Sequence, residues 1–234
     1  MTAISDITKQ ISIVDYNTQQ IHEEIKEKHQ RLMSFKCKIT MSYNDFKALF
    51  LAHAQRILIQ RSITAPYVID KNNGPVIKQL YLYFTNNPEC KWNLNAGLVF
   101  GGKVGCGKSV MMTSYLLIAD EFSNIITYRT HSKKLGGLIS KHGIEYFEKR
   151  PLFIDELGRE ESITKDWGKV IKPMIDLFAL RSEAGSRSYA TTNFNWTSLE
   201  KFYGEFIRNR MEEMMTFVVV PGESRRLKNE IRTK

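Results

Sequence analysis

Residues 102–109 read Gly102-Lys-Val-Gly-Cys-Gly-Lys-Ser109 and follow the short apolar run Gly97-Leu-Val-Phe100. The pattern G-x-x-x-x-G-K-[ST] between a strand and a helix constrains a fold more than any other stretch of this chain. Glycines let successive backbone N–H groups turn inward around an anion with no Cβ in the way. A lysine then brings a point charge to the outer phosphates, and a hydroxyl one residue on is placed to ligate Mg²⁺. The helix that follows directs its positive end at the same anion. Gly102, Lys103, Val104, Gly105, Cys106, Gly107, Lys108, Ser109 and Val110 are therefore the expected phosphate-binding segment, with Ser109 a metal ligand. Cys106 is expected to contribute only its backbone.

Such a loop needs a parallel sheet around it, and the rest of the sequence supplies one. Short apolar runs rich in β-branched or aromatic residues occur at 97–101, 124–129, 151–155, 187–192 and 215–220. Helical patterns separate them, most clearly at 108–121, 167–181 and 197–213. Strands alternating with helices give an α/β fold, its parallel sheet covered on both faces. Upstream, Ser42 is a suitable N-cap with Asp45 three residues on, and Phe46, Leu49, Phe50, Ala54, Ile57 and Leu58 follow on one face. This helix is expected to pack in a small helical domain. The breakers Thr64-Ala-Pro-Tyr-Val68 and Lys71-Asn-Asn-Gly-Pro75 place the domain boundary near residue 70. Residues 1–70 are the expected N-terminal domain and 71–234 the α/β domain. Within the first part, Ile21, Ile25 and Leu32 form a thin apolar stripe among charged residues. A solvated helix and a partner-binding arm account for it equally well.

The 234 residues carry a net charge of +9, which favours a polyanionic partner such as nucleic acid and also serves solubility. Lys133 and Lys134 are candidate DNA contacts, with a solvated surface the competing explanation. No apolar run approaches the length of a membrane span. The three cysteines, Cys37, Cys90 and Cys106, form no C-x-x-C pair and no disulfide framework, which suits a reducing, cytoplasmic setting.

Two further segments carry chemistry. The run Pro151-Leu-Phe-Ile-Asp155-Glu156 is an apolar strand ending in two acids, and buried charges require a reason. At the carboxyl end of a strand beside the phosphate loop, Asp155 would hold Mg²⁺ and Glu156 would deprotonate an attacking water. A second acid there favours ATP hydrolysis over transfer to a small acceptor. Asn193, after the strand Ser188-Tyr-Ala-Thr-Thr192, carries an amide able to hydrogen-bond that water and the γ-phosphate.

Together the P-loop, the Asp155-Glu156 strand, Thr191-Thr-Asn193, Tyr203-Gly-Glu-x-x-x-x-Arg210 and Gly222-x-Ser224-x-Arg226 resemble the AAA+ ATPases of the DnaC/IstB type. These are bacterial and phage helicase loaders and the ATP-dependent regulators of some transposases. The resemblance covers about residues 75–227. It implies a five-stranded parallel sheet with a truncated lid, preceded by a small helical N-terminal domain. It further implies ATP and Mg²⁺ as cofactors and assembly into a homo-oligomer on ATP and DNA. Lys108 and Ser109 then match Walker A, Asp155 and Glu156 match Walker B, and Asn193 matches sensor 1. Arg210 matches the arginine finger offered to a neighbouring subunit, and Arg226 matches sensor 2. The family commonly has Gly-Glu-Arg where this chain has Gly204-Glu205-Phe206, so one arginine is absent; Arg208 is a possible substitute. The loader reading adds single-stranded DNA and, through the N-terminal domain, a replicative helicase of the DnaB type. The transposition-helper reading replaces these with duplex DNA and a transposase. A small-molecule kinase and a nucleotide-gated binder with little turnover are alternatives of other classes.

Overall fold

The computed structural model describes residues 18–27, 40–123, 125–160, 164–166, 169–171 and 173–225. Its framework is a five-stranded parallel sheet of β1 (Gly97–Gly101), β2 (Tyr128–His131), β3 (Leu152–Leu157), β6 (Ser188–Thr192) and β7 (Met215–Val219). The spatial order is β2-β3-β6-β1-β7, so the P-loop strand lies inside the sheet between β6 and β7. Every β1 residue is buried. Strand alternation sends Leu98 and Phe100 to one face and Val99 to the other, and each face has its own apolar cluster.

On the first face lie α2 (Tyr43–Gln60), α3 (Gly74–Phe84) and α4 (Lys108–Ser123). On the second lie α5 (Ser132–His142), the single turn α6 (Glu145–Glu148), α7 (Pro173–Glu183), α8 (Trp196–Tyr203) and α9 (Glu205–Met214). A separate helix, α1, occupies 18–27 and is exposed throughout.

The start of α2 is as the sequence predicts: Ser42 Oγ accepts from Asp45 N at 3.2 Å and donates to Asp45 Oδ2 at 2.6 Å. Its packing differs from the expectation. Phe46, Phe50, Ala54 and Ile57 share one buried cluster with Leu98, Phe100, Met111, Met112 and Tyr115. The breakers at 62–73 therefore connect two helices of one core, and no gap in packing falls near residue 70. Hydrophobic periodicity identifies the buried face of a helix but carries no information on what covers it.

Three expected elements begin or end elsewhere. The second strand starts at Tyr128 rather than 124, because the Asp120 side chain accepts from Thr127 N and Oγ1 (3.0 and 2.8 Å) and holds the preceding loop. The helix expected from 167 starts at Pro173, whose missing N–H costs nothing in a first turn. Before it, Lys169–Ile171 (β5) pairs antiparallel with Thr164–Asp166 (β4). The helix expected over 197–213 is two helices, broken at Gly204 (φ 88°), a conformation that glycine tolerates.

Candidate nucleotide site

The P-loop follows β1 and wraps the N-terminal end of α4, as the glycine pattern requires. Gly105 adopts φ 82°, and a Cβ there would run into the Ser224 side chain. Lys108 is buried at the first turn of α4, with Nζ donating to Gly102 O (2.7 Å), Lys103 O (2.8 Å) and Asn193 Oδ1 (2.9 Å). Burial lowers its pKa, offset in part by Cys106, Asp155 and Glu156. The lysine thus bridges the P-loop to Asn193 after β6, two segments 85 residues apart.

The carboxyl end of β3 lies beside them. Ser109 Oγ donates to Asp155 Oδ1 at 2.6 Å, and Thr191 Oγ1 donates to the same oxygen. Between Ile154 and Leu157 the pairing of β3 with β6 shifts register, and Glu156 takes φ 58°. A bulge of this kind re-aims a side chain that regular alternation would send elsewhere. The strained residue is held at both backbone ends: Glu156 N donates to Thr191 Oγ1 (3.0 Å), and Glu156 O accepts from Ser132 Oγ (2.8 Å). Its carboxylate Oε2 meets His131 Nε2 at 3.2 Å and Arg159 Nη1 at 2.9 Å. Since His131 Nδ1 accepts from Lys133 N, the Nε2 side carries the proton and faces the carboxylate. Burial pushes the Glu156 pKa up, but the His131 hydrogen bond and the Arg159 charge outweigh it, leaving the group below its ordinary value.

These residues open into a cavity of about 330 Å³. Leu58, Ile63, Pro66, Tyr67 and Val68 give part of its wall an apolar surface, with Arg61, Asp70 and Asn72 among them. Side-chain amides shape this wall. Gln55 on α2 donates to Ala65 O (3.4 Å) and accepts from Tyr67 N (2.8 Å), and the buried Asn73 accepts from Asp70 N (2.7 Å) and donates to Val68 O (3.0 Å). Burial pushes the Tyr67 phenol up to about 12.

Arg225 closes the cavity from the C-terminal side. Its Nη2 donates to Asp70 Oδ2 at 2.8 Å, its Nε to Cys106 O at 3.3 Å, and its backbone N to Gly105 O at 2.9 Å. Burial works against the charged form of Asp70, yet the Asn72 and Asn73 backbone N–H groups and Arg225 together lower its pKa.

The structure therefore brings together Lys108, Ser109, Asp155, Glu156 and Asn193 from three strand ends. Arg226 lies outside the described residues; its neighbour Arg225 contacts the P-loop. Arg210 does not line the cavity: it sits on α9 with Nη1 3.3 Å from Glu213 Oε2 and its guanidinium 5.3 Å from the Phe206 ring. Arg208 turns away from that face to Glu212 (2.6 Å) and stacks over Trp196. His131, Arg159, Thr191, Asp70 and Arg225 carried no role in the sequence reading. Thr191 stood inside the Thr-Thr-Asn signal, whereas the other four are polar residues in loops or at element ends, a pattern common on any surface.

Sheet order, P-loop and the acidic end of β3 define a P-loop α/β fold of the AAA+ type. Among solved structures, the DnaC helicase loader superposes with a TM-score of 0.53 at 20% identity, covering 66% of this chain and 93% of that one. A protein described as a primosome component, from Streptococcus pyogenes serotype M3, gives 0.52 at 17% identity over 68% of this chain and 85% of its own. Replication initiator DnaA, bound to AMPPCP and single-stranded DNA, gives 0.50 at 10% identity over 71% of this chain and 53% of its own. At these identities the likeness is one of fold. No protein-family model matches the sequence, and no curated protein matches it. Among the described residues no helix is long and apolar enough to cross a membrane.

Proposed function

We propose that this protein is an ATP-hydrolysing helicase loader of DNA replication. One observation carries the reading: a lysine, a hydroxyl, a carboxylate and an amide from separate strand ends line one cavity, and a second carboxylate, Asp155, bonds the hydroxyl. The volume lies in the range of small-ligand pockets, and a lining that combines the P-loop with apolar side chains suits a triphosphate and a base. Ser109 and Asp155, already 2.6 Å apart, are hard oxygen donors of the kind Mg²⁺ takes. Bound there, the ion would neutralise charge on the phosphate oxygens.

The chain's own groups do the rest. The P-loop N–H groups and α4 bind the phosphates, and Lys108 exchanges its carbonyl partners for phosphate oxygens. Asn193 keeps Lys108 in place and aligns the attacking water. Glu156 takes that water's proton, which requires its carboxylate to leave His131 and Arg159. The contacts with His131 and Arg159 hold its pKa low and so weaken it as a base, and leaving them restores its affinity for a proton.

Other features support the partners. Lys133 and Lys134 are exposed in the first turn of α5, which holds no acid. Cations there oppose the helix dipole, so folding alone does not favour them. A strand of DNA phosphates would reward them. On α1, Ile21 and Ile25 stand exposed one turn apart, a small apolar stripe suited to a protein partner, here a replicative helicase. On this reading the partner-binding part ends near residue 40, before α2 joins the core.

Glu156→Gln provides the test. Turnover measured by phosphate release should fall by roughly 10²–10⁴, the usual contribution of a general base, with nucleotide affinity retained. Unchanged turnover would overturn the assignment of the base.

A further inference from the structure

Tyr203 ends α8, immediately before the break at Gly204, and is buried. Its ring meets those of Phe178 (centroids 6.1 Å apart) and Phe202 (4.9 Å), both edge to face. Packing among these rings asks only for a phenyl group, so the hydroxyl needs a partner of its own. It donates to Glu160 Oε1. Burial, and after it the Glu160 carboxylate, push the phenol well above its ordinary pKa, so it remains a donor.

The partner belongs to the loop that leaves β3. Glu160 Oε2 accepts from Gly158 N at 3.0 Å, and at Gly158 (φ 92°) a Cβ would run into the Phe194 ring. One carboxylate therefore ties both flanks of Arg159 to the end of α8. The Arg159 side chain is half-exposed, so burial does not fix its guanidinium, yet Nη1 reaches Glu156 Oε2 at 2.9 Å. A long exposed side chain loses rotamer freedom in holding one geometry, and a fixed backbone limits that loss. Glu156 is secured separately, its backbone N by Thr191 on β6 and its backbone O by Ser132 on α5. Loosening the loop would slacken the restraint and leave the base in place.

We infer that Tyr203 is a positioning residue for Glu156: through Glu160 it fixes the loop from which Arg159 restrains that carboxylate. Tyr203 does not line the cavity and acts only through Arg159. Glu156 must leave its restraint before it takes a proton from water, so the firmness of the loop sets part of the cost of each turnover. The end of α8 thereby gains a hold on a base that belongs to β3. The inference rests on the proposed role of Glu156 in hydrolysis.

The test measures steady-state phosphate release from the full chain carrying Tyr203→Phe or Glu160→Ala, each alone and combined with Arg159→Ala. Tyr203→Phe keeps the ring against Phe178 and Phe202, so the core is retained, and Glu160→Ala breaks the same link from a partly exposed position. Each change alone should raise kcat by about twofold with KM unchanged, a part of the gain expected from deleting the Arg159 hydrogen bond itself. In the Arg159→Ala background neither should have any effect, because the restraint they act through is gone. A hydroxyl that served the fold alone would act alike in both backgrounds. An effect that survives Arg159→Ala, an unchanged or lower kcat in Tyr203→Phe, or a gain that Glu160→Ala does not share would each overturn the inference. No phosphate release from the unaltered chain, or undiminished release from Glu156→Gln, would instead overturn the site reading beneath it, and the inference with it.

Discussion

Truncating Phe50 to alanine asks whether α2 belongs to the nucleotide-binding core. Phe50 is 0% exposed, packs beside Phe46 (centroids 6.2 Å apart) and meets the edge of Tyr67 at 6.0 Å. Tyr67 in turn forms part of the cavity wall. Removing a buried phenyl ring from such a site costs about 3–5 kcal/mol, from lost burial and an unfilled cavity. In a cooperative unit of this size each kcal/mol lowers the melting temperature by about 2–4 °C, so Phe50→Ala should lose roughly 6–20 °C. Because the ring supports Tyr67, affinity for ATP should fall as well. Circular dichroism during heating, repeated with nucleotide, measures both effects. One shifted transition is expected. A second, separate transition with nucleotide affinity intact would show that α2 unfolds by itself and would refute the shared core.

Three other outcomes follow from the site. Arg159→Ala should raise turnover at saturating ATP by about fivefold. Its hydrogen bond to Glu156 is worth roughly 1 kcal/mol after discounting for solvent, and that cost precedes release of the base; an unchanged or lower rate in a steady-state assay would contradict this. Asp70→Asn should destabilise the protein at neutral pH by removing the Arg225 ion pair. The folded pKa of Asp70 lies below its ordinary 3.8, so the contribution is complete above that value and lost as pH falls through the folded pKa. Urea unfolding from pH 7 to pH 3 should show the two proteins converging in acid, and a constant gap would rule out the ion pair as the cause. Lys133→Ala with Lys134→Ala should weaken single-stranded DNA binding and flatten the dependence of log K on log salt by about 1.4, or 0.7 for each phosphate left unneutralised. An unaltered slope in a fluorescence anisotropy titration would place DNA elsewhere.

Much of this protein is written in short stretches of its sequence. The P-loop, the cap at Ser42, the buried faces of α2 and α3 and the five principal strands all depend on residues a few positions apart, so glycine spacing and hydrophobic period suffice to find them. The acids near the end of β3 were legible for a related reason: an apolar run that leads into two carboxylates is costly unless they have work to do. Tertiary structure alone decided the rest. Strand order places β6 between β3 and β1, which sets Asn193 against Lys108 and Thr191 against Asp155. The bulge at Glu156 and its grip by His131 and Arg159 come from neighbouring elements, as does the contact of Arg225 with the P-loop. Local patterns specify which elements form and which faces they hide. Contacts between residues far apart in the chain specify which side chains meet, and there the chemistry of the site was assembled.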